Sequence, residues 1–334
     1  MQNGVYYRKQ HAAGQTRCMG GVAHMKKVFI DGKAGTTGLR IFDRLQARTD
    51  VELLTLPEDQ RKVDSCRRQM LNEADIVFLC LPDDAARDAA SWVENPDTVV
   101  LDTSTAHRTE PGWLYGFAEL SAVQEAKLRR GKRIAIPGCH ASGFIALVYP
   151  LVAAGLLSKD AALSCFSLTG YSGGGKKMIA AYESTDRSSL YDAPRQYGLG
   201  QAHKHLKEMK AITGLANEPV FCPVVGDFYS GMQVTVPLFG SWLQGGADLQ
   251  TVREVYRQLY AGPVVSYVES ADTDGFLSAA AQAGKDSMKI TVSGNAERML
   301  LLAVYDNLGK GASGAALECM NLATGAEKTL GLEL

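Results

Sequence analysis

Lys27-Val-Phe-Ile-Asp31-Gly32-Lys-Ala-Gly35-Thr-Thr-Gly38 decides how this chain is read. A short apolar run ends in glycines spaced G-x-x-G-x-x-G. A helical pattern follows, with Leu39, Ile41, Phe42 and Leu45 on or near one face. Glycines at such a turn let the backbone bend tightly and approach a pyrophosphate, which the positive end of the next helix attracts. Gly32, Gly35, Thr36, Thr37 and Gly38 are therefore the candidate cofactor-binding residues. An ordinary strand-to-helix turn is the other reading of the same glycines.

Working outward, Val51–Leu56 is strand-like and stopped by Pro57, and Ile76–Leu81 is stopped by Pro82. Asp83 and Asp84 are placed to cap a helix running to about Val93. Thr98–Asp102 and Arg133–Ile136 are further apolar strands. Continuous apolar strands alternating with helices predict a parallel sheet covered on both faces, a doubly wound nucleotide-binding half. Beyond about residue 145 the pattern changes. Cys165–Thr169, Met232–Phe239, Val264–Val268 and Lys289–Val292 show polar alternation, which suits an antiparallel sheet covered on one face by helices such as Leu249–Tyr260. Arg298–Tyr305 adds an apolar strand before a glycine-rich turn at 307–314 and a helix over Ala315–Leu322.

The bulk properties narrow the function. The chain has 334 residues, 46% of them apolar and 21% charged, with a net charge of −1. It can bury a large core in two domains. The balanced charge gives no support for binding nucleic acid or a membrane surface, and no apolar run reaches the roughly 20 residues of a bilayer span. Seven scattered cysteines without a C-x-x-C pair argue against a disulfide framework or a zinc site and fit reduced thiols in a cytoplasm. Residues 1–24 lack apolar periodicity and a signal-peptide core, and read as a disordered leader or an upstream start.

The second strand bears on the cofactor. NAD-specific folds place an acid near its end to bind the ribose hydroxyls. Here the strand ends Thr55-Leu56-Pro57 with Arg61 and Lys62 close behind, which favours NADP, although Glu58 and Asp59 lie nearby.

Ile134-Ala-Ile-Pro-Gly-Cys139-His-Ala-Ser-Gly-Phe144 carries the chemistry. A strand runs into Pro137-Gly138, and Cys139 falls where a helix begins. The helix terminus is expected to lower the thiol's pKa and so favour a nucleophile. A buried structural cysteine after a turn fits the same residues. In His203-Lys-His205-Leu-Lys-Glu208, His205 and Glu208 share a helical face, so the carboxylate is expected to orient the His205 imidazole as acid/base, with His203 projecting elsewhere. A metal reading of His-x-His plus Glu finds no further ligand cluster. His107 and Arg108 follow the strand Thr98–Asp102, where binding sites gather, and Arg108 offers donors to a phosphate or carboxylate.

Five motifs then occur in one order: the glycine turn, Pro-Gly-Cys-His-Ala-Ser at 137–142, Gly-Tyr-Ser-Gly-Gly-Gly-Lys at 170–176, His-Lys-His-x-x-Glu at 203–208, and Asp-Asn-Leu-x-Lys-Gly-Ala-Ser-Gly at 306–314. Together, over about residues 26 to 330, they resemble the N-acetyl-γ-glutamyl-phosphate reductases, most closely the shorter, second type. The resemblance implies a Rossmann-type parallel-sheet domain at 26–139 after a leader at 1–25. It also implies an α+β catalytic and oligomerisation domain at 140–306 with a mainly antiparallel sheet, like glyceraldehyde-phosphate and semialdehyde dehydrogenases. Residues 307–334 return a helix to the first domain.

It further implies NADP(H), a homodimer or homotetramer, and attack of Cys139 on an acyl phosphate in arginine biosynthesis. The thioester so formed is reduced to a semialdehyde, with His205 or His203 and Glu208 assisting. Ser104, Arg108, Ser172 and Lys176 would meet the substrate and Asn307 the nicotinamide. A sister reductase acting on aspartyl or carrier-bound aminoadipyl phosphate, or an NADP-binding regulator without turnover, are the alternatives.

Overall fold

The computed structural model describes residues 25–334, so the expectation of a leader over residues 1–24 falls outside the described residues. The chain order is β1 (Lys26–Asp31), α1 (Thr36–Gln46), β2 (Val51–Leu54), α2 (Asp64–Glu73), β3 (Ile76–Leu79), α3 (Asp83–Ser91), β4 (Val99–Asp102), β5 (Leu114–Tyr115), α4 (Ala122–Leu128) and β6 (Arg133–Ala135). It continues with α5 (Cys139–Ala153), β7 (Ser164–Gly170), α6 (Gly175–Glu183), β8 (Arg195–Gln196), α7 (His205–Thr213), β9 (Val220–Gly226), β10 (Met232–Phe239), α8 (Leu249–Leu259), β11 (Val265–Tyr267), β12 (Met288–Gly294), β13 (Arg298–Tyr305) and α9 (Gly314–Thr324).

The first sheet has the order β2-β1-β3-β4-β6-β5, and all its pairs are parallel. Its central strand β3 is apolar and buried along its whole length, and its neighbours β1 and β4 carry apolar runs, because successive side chains enter different cores. Val28, Ile30, Ile76 and Phe78 pack on one face with Ala316, Leu317 and Met320 of α9. Phe29, Val77 and Leu79 pack on the other with Leu71 of α2 and Ala89 of α3. The final helix thus fills a face of the first sheet although it follows the second in sequence.

The second sheet, ordered β11-β12-β13-β10-β7-β9-β8, is mixed: β10–β13, β10–β7, β12–β13 and β8–β9 are antiparallel, while β7–β9 and β11–β12 are parallel. One face is buried against α5 and α8, where Val234, Val236 and Leu301 meet Phe144, Leu147 and Tyr256. β9, which carries Pro223, lies outside the strands expected from the sequence. Two local expectations are corrected. The α3 N-cap is Pro82 without a side-chain cap, and Asp83 instead accepts hydrogen bonds from the Thr105 N–H at 2.9 Å and from its hydroxyl, because the loop after β4 folds over it. Leu39 is 44% exposed rather than on the buried face of α1, which Ile41 and Leu45 form. Among the described residues, no helix is long and apolar enough to cross a membrane.

Candidate active site

A cavity of about 490 Å³ opens between the two sheets, where the Gly35–Gly38 turn, Cys139, His205, Ser172 and Asn307 meet. On the first turn, Gly32 has φ +85°, and a Cβ there would lie 2.2 Å from the Cys80 carbonyl oxygen, so only glycine fits. The α1 N-cap, Gly35, brings no side-chain cap to the helix start. Thr36 and Thr37 line the cavity over those first-turn N–H groups, and this bare, positive helix end fits a pyrophosphate. A neighbouring crevice of about 760 Å³ is lined by Phe42, Leu54, Thr55, Arg61 and Lys62. The acids around it are already paired: Glu58 with Arg61, and Asp31, at the end of β1, with Arg67 at 2.9 Å.

Cys139 is the first residue of α5, behind the uncapped, extended Gly138. The turn is fixed from α7. Glu208 Oε1 accepts from the Gly138 N–H at 2.8 Å and from the Tyr115 hydroxyl at 2.6 Å, and Oε2 accepts from Arg108 Nη1 at 3.0 Å. Arg108 also donates from Nε to the Ile136 carbonyl at 2.9 Å and from Nη2 to that of Thr103 at 3.0 Å. This corrects the expected pairing of Glu208 with His205: both lie on α7, but the carboxylate is spent on the Cys139 turn and Arg108. From the far side, Tyr305 donates to the Cys139 carbonyl at 2.5 Å and accepts from the Gly143 N–H at 3.0 Å.

The thiol itself also departs from expectation. Burial pushes its pKa up, and this outweighs the pull of Arg108, the His140 N–H and Lys204 towards the thiolate. Cys139 therefore starts as a thiol and needs a base. His205, which lines the same cavity, is in the form a base requires. Burial and the Arg108 charge hold it well below the ordinary histidine value of 6.5, so it is neutral. Its Nδ1 is buried without a hydrogen-bond partner among the described residues, and a Cβ on Gly138 would fall 2.5 Å from its Nε2.

His203 does not project elsewhere. α7 begins only at His205, so helical spacing does not govern His203. Its Nδ1 accepts the His205 N–H at 3.3 Å, its ring centroid is 4.7 Å from that of His205, and both line the cavity. A third imidazole, His140, hydrogen-bonds Ser167 at 2.6 Å and Tyr197 at 2.7 Å, with burial pushing its pKa down to about 3. His140, Tyr197 and Tyr305 were not picked out from sequence. Adjacency to Cys139 was a signal for His140, whereas the two tyrosines carried none.

The remaining candidates divide. Ser104 lines the cavity, but its hydroxyl donates to Asp102 at 2.7 Å, and His107 Nδ1 lies 2.7 Å from the same carboxylate while stacking on Trp113 at 4.0 Å. Ser172 accepts from Asn307 Nδ2 at 3.0 Å, and Asn307 Oδ1 accepts from the Gly231 N–H at 2.9 Å, so that amide braces the turn it was expected to lend to a ligand. Lys176 is exposed and does not line the cavity; Gly173, Gly174 and Gly175 do, and Lys176 falls on the outer side of α6. Among the described residues, no group of three or more His, Cys, Asp or Glu side chains is placed to hold a metal ion.

Comparisons with known proteins identify the family and the fold. The family described as semialdehyde dehydrogenase, NAD binding domain, matches residues 27–127, and the semialdehyde dehydrogenase dimerisation domain matches residues 139–307. The N-acetyl-gamma-glutamyl-phosphate reductase of Rhizobium meliloti (strain 1021) is 45% identical over 303 residues, covering 89% of this chain and 98% of its own length. The chain belongs to the N-acetyl-gamma-glutamyl-phosphate reductase family. In fold this reductase family member resembles a probable aspartate-semialdehyde dehydrogenase from Pseudomonas aeruginosa, with a TM-score of 0.68 at 17% identity, over 90% of this chain and 98% of that one. It also resembles an aspartate semialdehyde dehydrogenase with NADP from Candida albicans, with a TM-score of 0.62 at 15% identity, over the same shares of the two chains.

Proposed function

We propose that this chain reduces N-acetyl-L-glutamyl 5-phosphate to N-acetyl-L-glutamate 5-semialdehyde and phosphate, using NADPH, as a step of arginine biosynthesis. The observation that carries this reading is a single cavity holding both a bare glycine turn fit for a pyrophosphate and a cysteine together with a neutral imidazole whose Nδ1 has no hydrogen-bond partner among the described residues.

The chain's residues divide the chemistry. His205 takes the Cys139 proton as sulfur attacks the acyl carbon and returns it to the leaving phosphate, giving a thioester and hydrogen phosphate, and a solvent proton then recharges the imidazole. Bound NADPH supplies the hydride for the next stage. His205 then protonates the tetrahedral oxygen, later removes that proton, and hands it to sulfur as the semialdehyde departs. Glu208 and Arg108 keep the Gly138–Cys139 turn in place throughout. Gly32, Gly35, Thr36, Thr37 and Gly38 would hold the pyrophosphate, and Asn307, through its braced turn, would shape the nicotinamide end. Arg61 and Lys62 border the crevice, where Glu58 is held by Arg61 and Asp31 by Arg67, and these two cations support NADP over NAD.

The outer face of the second sheet supports a homodimer. Phe166, Phe239, Trp242 and Leu300 are each at least 40% exposed there or at its rim, and a second copy would cover them. Phosphate-dependent oxidation of candidate semialdehydes, followed as NADPH absorbance, tests the assignment. N-acetylglutamate semialdehyde is the expected substrate. A preference for aspartate semialdehyde would overturn the substrate, and no rate with either would overturn the enzyme.

A further inference from the structure

The proposed substrate brings negative charge to Cys139 twice over, as an acyl phosphate and as a carboxylate. Arg108 can receive it only from a fixed position. Its Nε, Nη1 and Nη2 all donate within the protein at 2.9–3.0 Å, and buried Glu208 offsets its charge. Among the described residues, the other cation lining the cavity is Lys204.

Lys204 differs from Arg108 in each respect. It is exposed, and among the described residues it makes no hydrogen bond and no ion pair. It sits between His203 and His205 at the start of α7, so the turn that delivers the imidazoles to the thiol delivers an ammonium with them. It borders both the Cys139 cavity and an adjoining hollow of about 420 Å³ lined by Thr105, Thr109 and Lys207. Its charge reaches Cys139 and Asp83, pulling both towards their ionised forms. Of the acids bordering that hollow, Asp83 is held by the Thr105 N–H and hydroxyl, Glu208 by Arg108 and Glu110 by Arg87, and among the described residues neither these nor Glu218 forms an ion pair with Lys204.

We propose that Lys204 is a specificity-determining residue that binds an anionic oxygen of the substrate, from the phosphate or the carboxylate, as the acyl carbon approaches Cys139. An ammonium on a four-carbon stem can move to such an oxygen, whereas a guanidinium fixed by three acceptors cannot. The assignment rests on the acyl-phosphate reading, so its test has one arm that needs no substrate.

In that arm Cys139 is alkylated with iodoacetate and with iodoacetamide, reagents of similar size of which only the first is charged, and the Cys139 peptide is followed by mass. Lys204→Gln is expected to slow iodoacetate relative to iodoacetamide by about tenfold, the scale of one charge-assisted contact. Lys204→Arg and the neighbouring Lys207→Gln keep the wild-type ratio. In the second arm, steady-state oxidation of the semialdehyde, Lys204→Gln raises one KM by about tenfold with kcat little changed. A rise in KM for inorganic phosphate assigns Lys204 to the phosphate, and a rise in KM for the semialdehyde assigns it to the carboxylate. An alkylation ratio indifferent to Lys204, or a fall in kcat with both KM values unmoved, overturns the proposal. A Lys204-dependent ratio in a protein that turns over no semialdehyde keeps the anion site and overturns the substrate reading instead.

Discussion

Two turns in this chain are built alike and do different work. β1 enters α1 through Gly35, and β6 enters α5 through Gly138. Both glycines are extended, with φ of −74° and −75°, and neither helix start has a side-chain cap. Each presents the positive end of a helix to one cavity. The surroundings differ. Gly35 is exposed, and the N–H groups behind it face open space fit for a ligand. Gly138 is buried, its N–H is taken by Glu208, and the place of its missing side chain is filled by Arg108 and His205. On the proposed function, one backbone geometry serves as an anion cradle where nothing crowds it, and as a nucleophile mount where a carboxylate, a guanidinium and an imidazole converge.

Substitutions at the two turns test that contrast. The largest effect belongs to Cys139→Ser, expected to lower kcat on the order of 10⁴-fold or more while NADPH binding, measured by fluorescence titration, is unchanged. Lost NADPH binding would make Cys139 structural and dissolve the distinction between the turns.

His205→Asn should lower kcat by about 10²–10⁴-fold, with His203→Asn the milder change. The working form of His205 is neutral and its pKa lies below the ordinary 6.5. Protonation therefore removes the base only in acid, and kcat/KM should hold as pH falls through 6.5 before dropping. A drop centred near 6.5 would put the base on a less buried group.

Gly138→Ala and Gly35→Ala compare the turns directly. A Cβ at Gly138 would lie 2.3 Å from Arg108 Nη1 and 2.5 Å from His205 Nε2, whereas one at Gly35 would lie 3.4 Å from the Gly32 oxygen. The first is expected to cost about 10²-fold in kcat, the scale for displaced catalytic groups. The second should change KM for NADPH and leave kcat in place. Equal kcat losses would mean that crowding does not separate the two turns. The smallest effect is at the adenosine end, where Arg61→Ala should narrow the preference for NADPH over NADH by about tenfold, read as a kcat/KM ratio. An unchanged ratio would remove Arg61 from cofactor selection.

Much of this was legible in the sequence. Buried parallel strands are continuous apolar runs, so β1, β3 and β4 announce themselves, and the glycine turn follows from its place after β1. The strand-to-helix setting of Cys139 was readable for the same reason. The partner of Glu208 was not. Helical spacing puts Glu208 near His205, but Gly138, 70 residues away in sequence, claims one carboxylate oxygen. Nor did the spacing rule apply to His203, which precedes the helix. Lys176 and Lys204 show the same limit: both sit in motifs, and only the packing of α6 and α7 decides which of them faces the cavity.

The sequence by itself determined the two sheets, the glycine cradle and the cysteine at a helix start, because apolar periodicity and glycine's freedom at φ +85° are local properties. The tertiary structure alone decided the ionisation and partners of the site. Burial raised the Cys139 thiol, emptied His205 of its proton and spent Arg108 on Glu208, and each depends on charges and desolvation supplied by segments remote in the chain.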